Sequence, residues 1–138
     1  MTVRFLLDTS TCANVLKRLE DGVARRLAAL PVMEVGISAI TYSELLFGAI
    51  ASRLDEEDRA AVDLFLQHVA VLPYPVEAAE DYAAIRYGLM LREERLEEHV
   101  LLVAAHARRQ RLTLVSCDAK GYGLVPGLMV EDWGRCQG

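Results

Sequence analysis

Val3-Arg4-Phe5-Leu6-Leu7-Asp8-Thr9-Ser10 is an almost unbroken apolar run that ends in a carboxylate and two hydroxyls. A short run of this kind fits a strand buried on both faces, as in the middle of a parallel sheet. Asp8 then stands just past the strand's C-terminal end, where open α/β sheets build their binding crevices. A plainer role is also open to it. Asp8, Thr9 or Ser10 can cap the helix that follows.

The rest of the chain alternates in the same way. Thr11–Leu19 and Val23–Leu30 read as an αα-hairpin broken at Gly22, with Cys12, Val15, Leu16 and Leu19 on one apolar face. Val35–Ser38 reads as a second strand, and Ile40–Ala49 as a helix that Ser38 or Thr41 can cap. Leu54–Val69 has the pattern of an amphipathic helix with Ala61, Leu64, Phe65 and His68 on its inner face. A strand over Val71–Tyr74 and a long helix over Val76–Glu93 follow. Glu98–Ala107 is a largely apolar helix closed by Arg108, Arg109 and Arg111, cations that suit a helix C-terminus. Leu112–Val115 repeats the first pattern, an apolar run leading through Ser116 and Cys117 to Asp118. Leu128–Val130 is a last short strand. The segment between them, with Gly121, Gly123 and Pro126-Gly127, reads as loop. The alternation predicts one three-layer α/β domain over residues 1–138, with a mostly parallel central sheet flanked by helices.

Composition narrows the function classes. Apolar residues make up 53% of the chain and charged residues 25%, the balance of a globular protein. No apolar run is long enough to cross a bilayer, and the N-terminus lacks signal-peptide character, so a cytoplasmic protein is expected. Three cysteines without metal-ligand spacing suggest free thiols. The net charge of −5 argues against a general polyanion binder, but not against an enzyme whose carboxylates hold a cation. His68, His99 and His106 are not spaced as a ligand set and read as packed or surface histidines. The sequence has no Gly-x-Gly-x-x-Gly and no P-loop.

Two strands thus end in Asp8 and Asp118, and Glu44 lies in the first turns of a nearby helix. If the two strands are neighbours, the carboxylates converge. Like charges that close repel unless a cation neutralises them or one takes up a proton. A hard divalent ion with oxygen ligands, Mg²⁺ or Mn²⁺, answers the problem, and such an ion can activate water and offset charge on a phosphodiester.

The segments Leu6-Leu7-Asp8-Thr9 and Ile37-Ser38-Ala39-Ile40-Thr41-Tyr42-Ser43-Glu44-Leu45-Leu46-Phe47-Gly48-Ala49 resemble the PIN domain. More narrowly they resemble VapC-type toxins of bacterial toxin–antitoxin pairs. The likeness continues through Ala78–Arg86, Leu101–Ala107 and Leu112–Ser116, and closes with Val125–Leu128 and Glu131-Asp132-Trp133. It implies a PIN-like fold and a Mg²⁺-dependent endoribonuclease. Asp8, Glu44 and Asp118 match the family's catalytic acids, with Asp8 and Asp118 as metal ligands. Ser116 stands where a hydroxyl is common. The resemblance also implies a homodimer and a small antitoxin partner, with DNA reached only through the antitoxin.

The chain departs from the family pattern at two positions. Ser10 replaces an Asn, a mild change. More seriously, the pattern places an Asp six residues before His106, and here that residue is Val100. At an effective dielectric near 20, one charge pair about 4 Å apart is worth about 4 kcal/mol, so the change is able to weaken metal binding by orders of magnitude. Glu97 lies one helical turn upstream and offers a replacement carboxylate. Two functions follow from the resemblance. One is an RNA-cleaving toxin; the other is a catalytically weakened domain that mainly binds its antitoxin.

Overall fold

The computed structural model describes residues 2–17, 21–52 and 55–134. Five strands form one parallel sheet in the order β3-β2-β1-β4-β5. β1 (Phe5–Leu7) lies in the centre, between β2 (Val35–Ser38) and β4 (Thr113–Val115), while β3 (Ala70–Leu72) and β5 (Val130–Glu131) form the edges. Leu7 pairs with Ile37 on one side and with Val115 on the other. The next residues along these strands, Asp8, Ser38 and Ser116, therefore share one end of the sheet.

Helices cover both faces, because β1, β2 and β4 are apolar on both sides. Phe5, Leu7, Ile37 and Val115 point into a core shared with α1 (Thr9–Leu16), α2 (Asp21–Ala29), α3 (Ala39–Ala51) and α4 (Asp55–Phe65). Leu6 and Leu114 point the other way, into a core shared with α5 (Ala78–Leu91), α6 (Glu98–Gln110) and α7 (Ala119–Tyr122). This is the expected three-layer arrangement, and within the described sheet all strand pairs are parallel.

Several expectations shift. The first helix begins earlier, at Thr9, and Gly22 lies inside α2 rather than between helices. Of the apolar face read over Cys12–Leu19, Cys12 is fully buried core, Val15 and Leu16 pack partly buried against it, and Leu19 lies outside the described residues. α4 ends at Phe65 and turns a different stripe inward. Asp58, Val62 and Phe65 follow the i, i+4, i+7 spacing, and Val62 and Phe65 reach the core, whereas Leu64 is 60% exposed and His68 is exposed. The segment read as loop before Gly123 holds α7. Cys12 is a free thiol, but Cys117 is disulfide-bonded, which corrects the free-thiol expectation there. Among the described residues no helix is long and apolar enough to cross a membrane.

Arg108 and Arg109 do more than complement the end of α6. Their Nε atoms donate to Oδ1 and Oδ2 of Asp81 on α5, at 2.8 and 2.5 Å. Burial raises the pKa of the Asp81 carboxyl, but hydrogen bonds and charge from both guanidinium groups outweigh it and hold the pKa below the ordinary value. Arg108 also donates to the Pro126 carbonyl, which ties the loop after α7 to the α5–α6 pair.

Candidate active site

β1 runs straight into α1 through Asp8. Its backbone is extended, and its Oδ1 accepts the Thr11 N–H at 2.9 Å, so the capping role is real. Capping does not exhaust the carboxylate. Asp8 is only 3% exposed, and the Ser116 hydroxyl donates to its Oδ2 at 2.6 Å. Ser10 Oγ lies 3.2 Å from both of its oxygens. Tyr122, buried on α7, also lies against it. Burial pushes the Tyr122 hydroxyl far above the usual phenol range, and the Asp8 charge and hydrogen bond push it further, as does the charge of Asp118.

Asp118 belongs to the same cluster. Its backbone N–H donates to Ser116 Oγ at 2.8 Å, so one serine hydroxyl touches both aspartate residues. The Asp118 side chain is exposed, and its Oδ1 accepts the Gly121 N–H at 3.3 Å, as a cap over the start of α7. A Cβ on Gly121 would lie 3.0 Å from Asp118 Oδ2, so the glycine lets the turn close over this carboxylate. Ser116 is fixed in turn by strand pairing, because its N–H donates to the Glu131 carbonyl at 3.0 Å.

Glu44 is exposed on α3, and among the described residues no hydrogen bond joins it to Asp8 or Asp118. The link between α3 and the Asp8 end of the sheet is instead Thr41, fully buried, which accepts from the hydroxyl of Thr9, the first residue of α1, at 3.2 Å. Val100 is half-buried at the start of α6 and packs against the apolar cluster that holds Leu101, Tyr122 and Val125. Glu97 caps no amide with its side chain; it is exposed and pairs with His99 Nδ1 at 3.5 Å.

Among the described residues no three His, Cys, Asp or Glu side chains come together as a metal site. The set available to a cation is the Asp8–Asp118 pair. That pair fits Mg²⁺ in one respect. Mg²⁺ keeps several waters and is commonly held by one or two carboxylates plus substrate phosphate, not by an all-protein cage. It is nonetheless a thin set, since Asp8 already receives hydrogen bonds from Thr11, Ser10 and Ser116. Tyr122 and Ser116 were not singled out as site residues by spacing. Ser116 carried a signal, a hydroxyl two residues before the second Asp, but Tyr122 lay between two glycines and carried none.

Comparison with known proteins agrees with this arrangement. The PIN-domain family model matches residues 5–122. The tRNA(fMet)-specific endonuclease VapC of Salmonella typhimurium is 30% identical, over 95% of this chain and 98% of that protein. The solved DNA-bound VapBC from Salmonella typhimurium superposes with a TM-score of 0.90 at 30% identity, covering 96% of this chain and 99% of the other. VapBC2 from Rickettsia felis, bound to a promoter DNA fragment, gives 0.89 at 25% identity over 95% and 99%. With the family model matching most of its length and a relative this similar end to end, the chain belongs to the PIN-domain family and is of the VapC type.

Proposed function

We propose that this chain is a Mg²⁺-dependent endoribonuclease toxin, acting in the cytoplasm and held in check by a small antitoxin protein. The observation that carries the proposal is the pair of aspartates at the C-terminal ends of adjacent parallel strands, tied together through Ser116 Oγ. Similar proteins, one named an endonuclease and another a ribonuclease, support the reaction class. Asp8 and Asp118 would hold the ion. When bound, Mg²⁺ supplies a more acidic water and offsets charge on a phosphodiester. Ser116 and the Thr11 N–H fix the direction of the Asp8 oxygens, so no reorganisation is needed as charge develops. Glu44 sits on a helix anchored beside Asp8 through Thr41 and Thr9, and we assign it as the third acid of the site.

Partners follow from the same likeness. The similar solved structures include VapBC2 from Rickettsia felis and VapBC from Salmonella typhimurium, both bound to DNA, and a toxin–antitoxin complex from Klebsiella pneumoniae. We propose a homodimer of this chain bound to an antitoxin, with DNA contacted by the antitoxin. Phe47, Ile50 and Leu64 expose an apolar surface on α3 and α4, beside a groove lined by Ala49, Glu56, Arg59 and Asp63. That groove suits a partner segment with apolar anchors and a cation.

One observation favours a second reading, a catalytically weakened domain that acts mainly by binding its antitoxin. The half-buried residue at the head of α6 is Val100, which offers no oxygen to a hard cation, and Glu97 points into solvent beside His99. RNA cleavage by the purified, partner-free chain with Mg²⁺ or with EDTA separates the two. Metal-dependent cleavage that EDTA stops, even if slow, supports the toxin; none at any Mg²⁺ concentration supports the binding module.

A further inference from the structure

His106 has no part in the chemistry above, yet it is fully buried in α6 and both ring nitrogens are engaged. Nε2 lies 3.1 Å from Gln110 Oε1, and Nδ1 lies 2.9 Å from Ser38 Oγ. A carbonyl oxygen only accepts, so the ring proton belongs on Nε2. Nδ1 then carries a lone pair, and the Ser38 hydroxyl must donate to it. The same Ser38 oxygen accepts the Ile40 N–H at 3.2 Å, which makes it the cap of α3. One directed chain results: Ile40 N–H to Ser38, Ser38 O–H to His106, His106 Nε2–H to Gln110. The ring itself is held by Tyr74, which stands edge-on at 5.4 Å and donates its hydroxyl to the Leu102 carbonyl one turn upstream.

Ser38 also occupies a sensitive place. It follows Ile37, the partner of Leu7, so it lies beside Asp8 at the end of the sheet. Three residues later Thr41 meets Thr9, the neighbour of Asp8. The start of α3 is therefore pinned twice, to α6 through His106 and to the start of α1 through Thr9, and Glu44 lies one turn beyond the second pin.

We propose that His106 is a positioning residue: held in a single tautomer between Ser38 and Gln110, it fixes the entry to α3 and with it the placement of Thr41 and Glu44 at the Asp8 end of the sheet. The kinetic consequence rests on the ribonuclease reading, but the tautomer and the anchoring of α3 do not. If His106 were only core filler, shape alone would matter, and a leucine of similar bulk would serve.

The test has an arm that needs no activity. In the ¹⁵N-labelled full chain at neutral pH, the His106 signals should show an unprotonated Nδ1 and a protonated Nε2; a protonated Nδ1 overturns the proposal. His106→Leu should make amide exchange at Ile40, Thr41 and Glu44 about tenfold faster, as loss of a buried hydrogen bond and weakening of a cap require, and should leave α5 amides unchanged. His106→Asn, whose amide oxygen can accept from Ser38, should restore most of the protection. Ser38→Ala should match His106→Leu, and the double variant should be no worse than either alone. Equal protection in His106→Leu and the native chain, or additive effects of the two substitutions, contradicts the proposal. On RNA, His106→Leu should lower kcat about tenfold with little change in KM, because a displaced acid costs orientation and not binding. A chain that cleaves no RNA but shows the expected tautomer and exchange pattern refutes the ribonuclease reading and leaves the anchoring role standing.

Discussion

Ser116 shows how much one hydroxyl can organise. It donates to Asp8 Oδ2 in a buried bond and accepts the Asp118 N–H in a partly buried one. Ser116→Ala leaves the Asp118 N–H without its acceptor and Asp8 without its shortest donor. The expected cost is about 1–3 kcal/mol, read from urea unfolding. Ser116→Thr keeps the oxygen and should recover most of that loss. Apolar runs ending in acids made Asp8 and Asp118 legible in the sequence. The serine that joins them was legible only as a family hydroxyl, because a bridge between strands distant in sequence leaves no local pattern. Tyr122 was invisible for a related reason. Its helix spans Ala119–Tyr122, too short to print a periodicity, and the adjacent glycines spoke for a loop.

His106 adds a pH dependence whose sign is fixed by its surroundings. Burial lowers its pKa below 6.5, and the Gln110 bond only partly opposes this. Between the folded and unfolded pKa values the unfolded chain binds more protons. Stability from this group is therefore complete above about pH 6.5 and falls as pH drops toward the lowered value. The other ionisable group against the ring, Tyr74, is pushed up to about 12, chiefly by burial, and stays neutral throughout that window. Urea unfolding of the native chain at pH 7 and pH 5 should show the loss, and His106→Asn should flatten the difference. An equal slope in both proteins would remove His106 as its source.

At the scale of elements, α5 and α6 are held by more than their apolar seam. Asp81 receives Arg108 and Arg109 together, with its own side chain 10% exposed and the arginines 23% and 37% exposed. Asp81→Ala strands two cations, so it should cost about 1–3 kcal/mol after allowance for solvent around the arginines. Because the Asp81 pKa is lowered, its contribution is present at neutral pH and is lost only as pH falls below the ordinary carboxylate value. Nothing in the spacing of Arg108 and Arg109 announced this, since cations at a helix end have a sufficient local explanation. α4 taught the opposite lesson. Its periodicity was present, but two stripes competed, and packing of Val62 and Phe65 against the sheet selected one. β2 approaches β3 closely at Gly36, where a Cβ would lie 3.1 Å from the Ala70 carbonyl oxygen. Gly36→Ala should therefore destabilise the sheet by about 1–3 kcal/mol, measured by thermal unfolding, whereas an alanine at Gly48, where nothing crowds the site, should not.

For the molecule as a whole, the acidic balance and the exposed apolar surface of α3 and α4 are consistent with a partner that brings cations and apolar anchors. Light scattering at high concentration should report a dimer, and co-expression with a cognate small antitoxin should yield a complex; a monomer that captures no such partner contradicts the proposed assembly. The central claim concerns the site, and RNA cleavage by the partner-free chain tests it most directly. The account predicts slow cleavage that requires Mg²⁺, stops in EDTA, is abolished by Asp8→Asn, and rises at least about tenfold in Val100→Asp, which puts a carboxylate at the head of α6 where a cation about 4 Å away would gain about 4 kcal/mol. Cleavage that survives EDTA or Asp8→Asn would contradict the site, and a native chain already as fast as Val100→Asp would contradict its weakening.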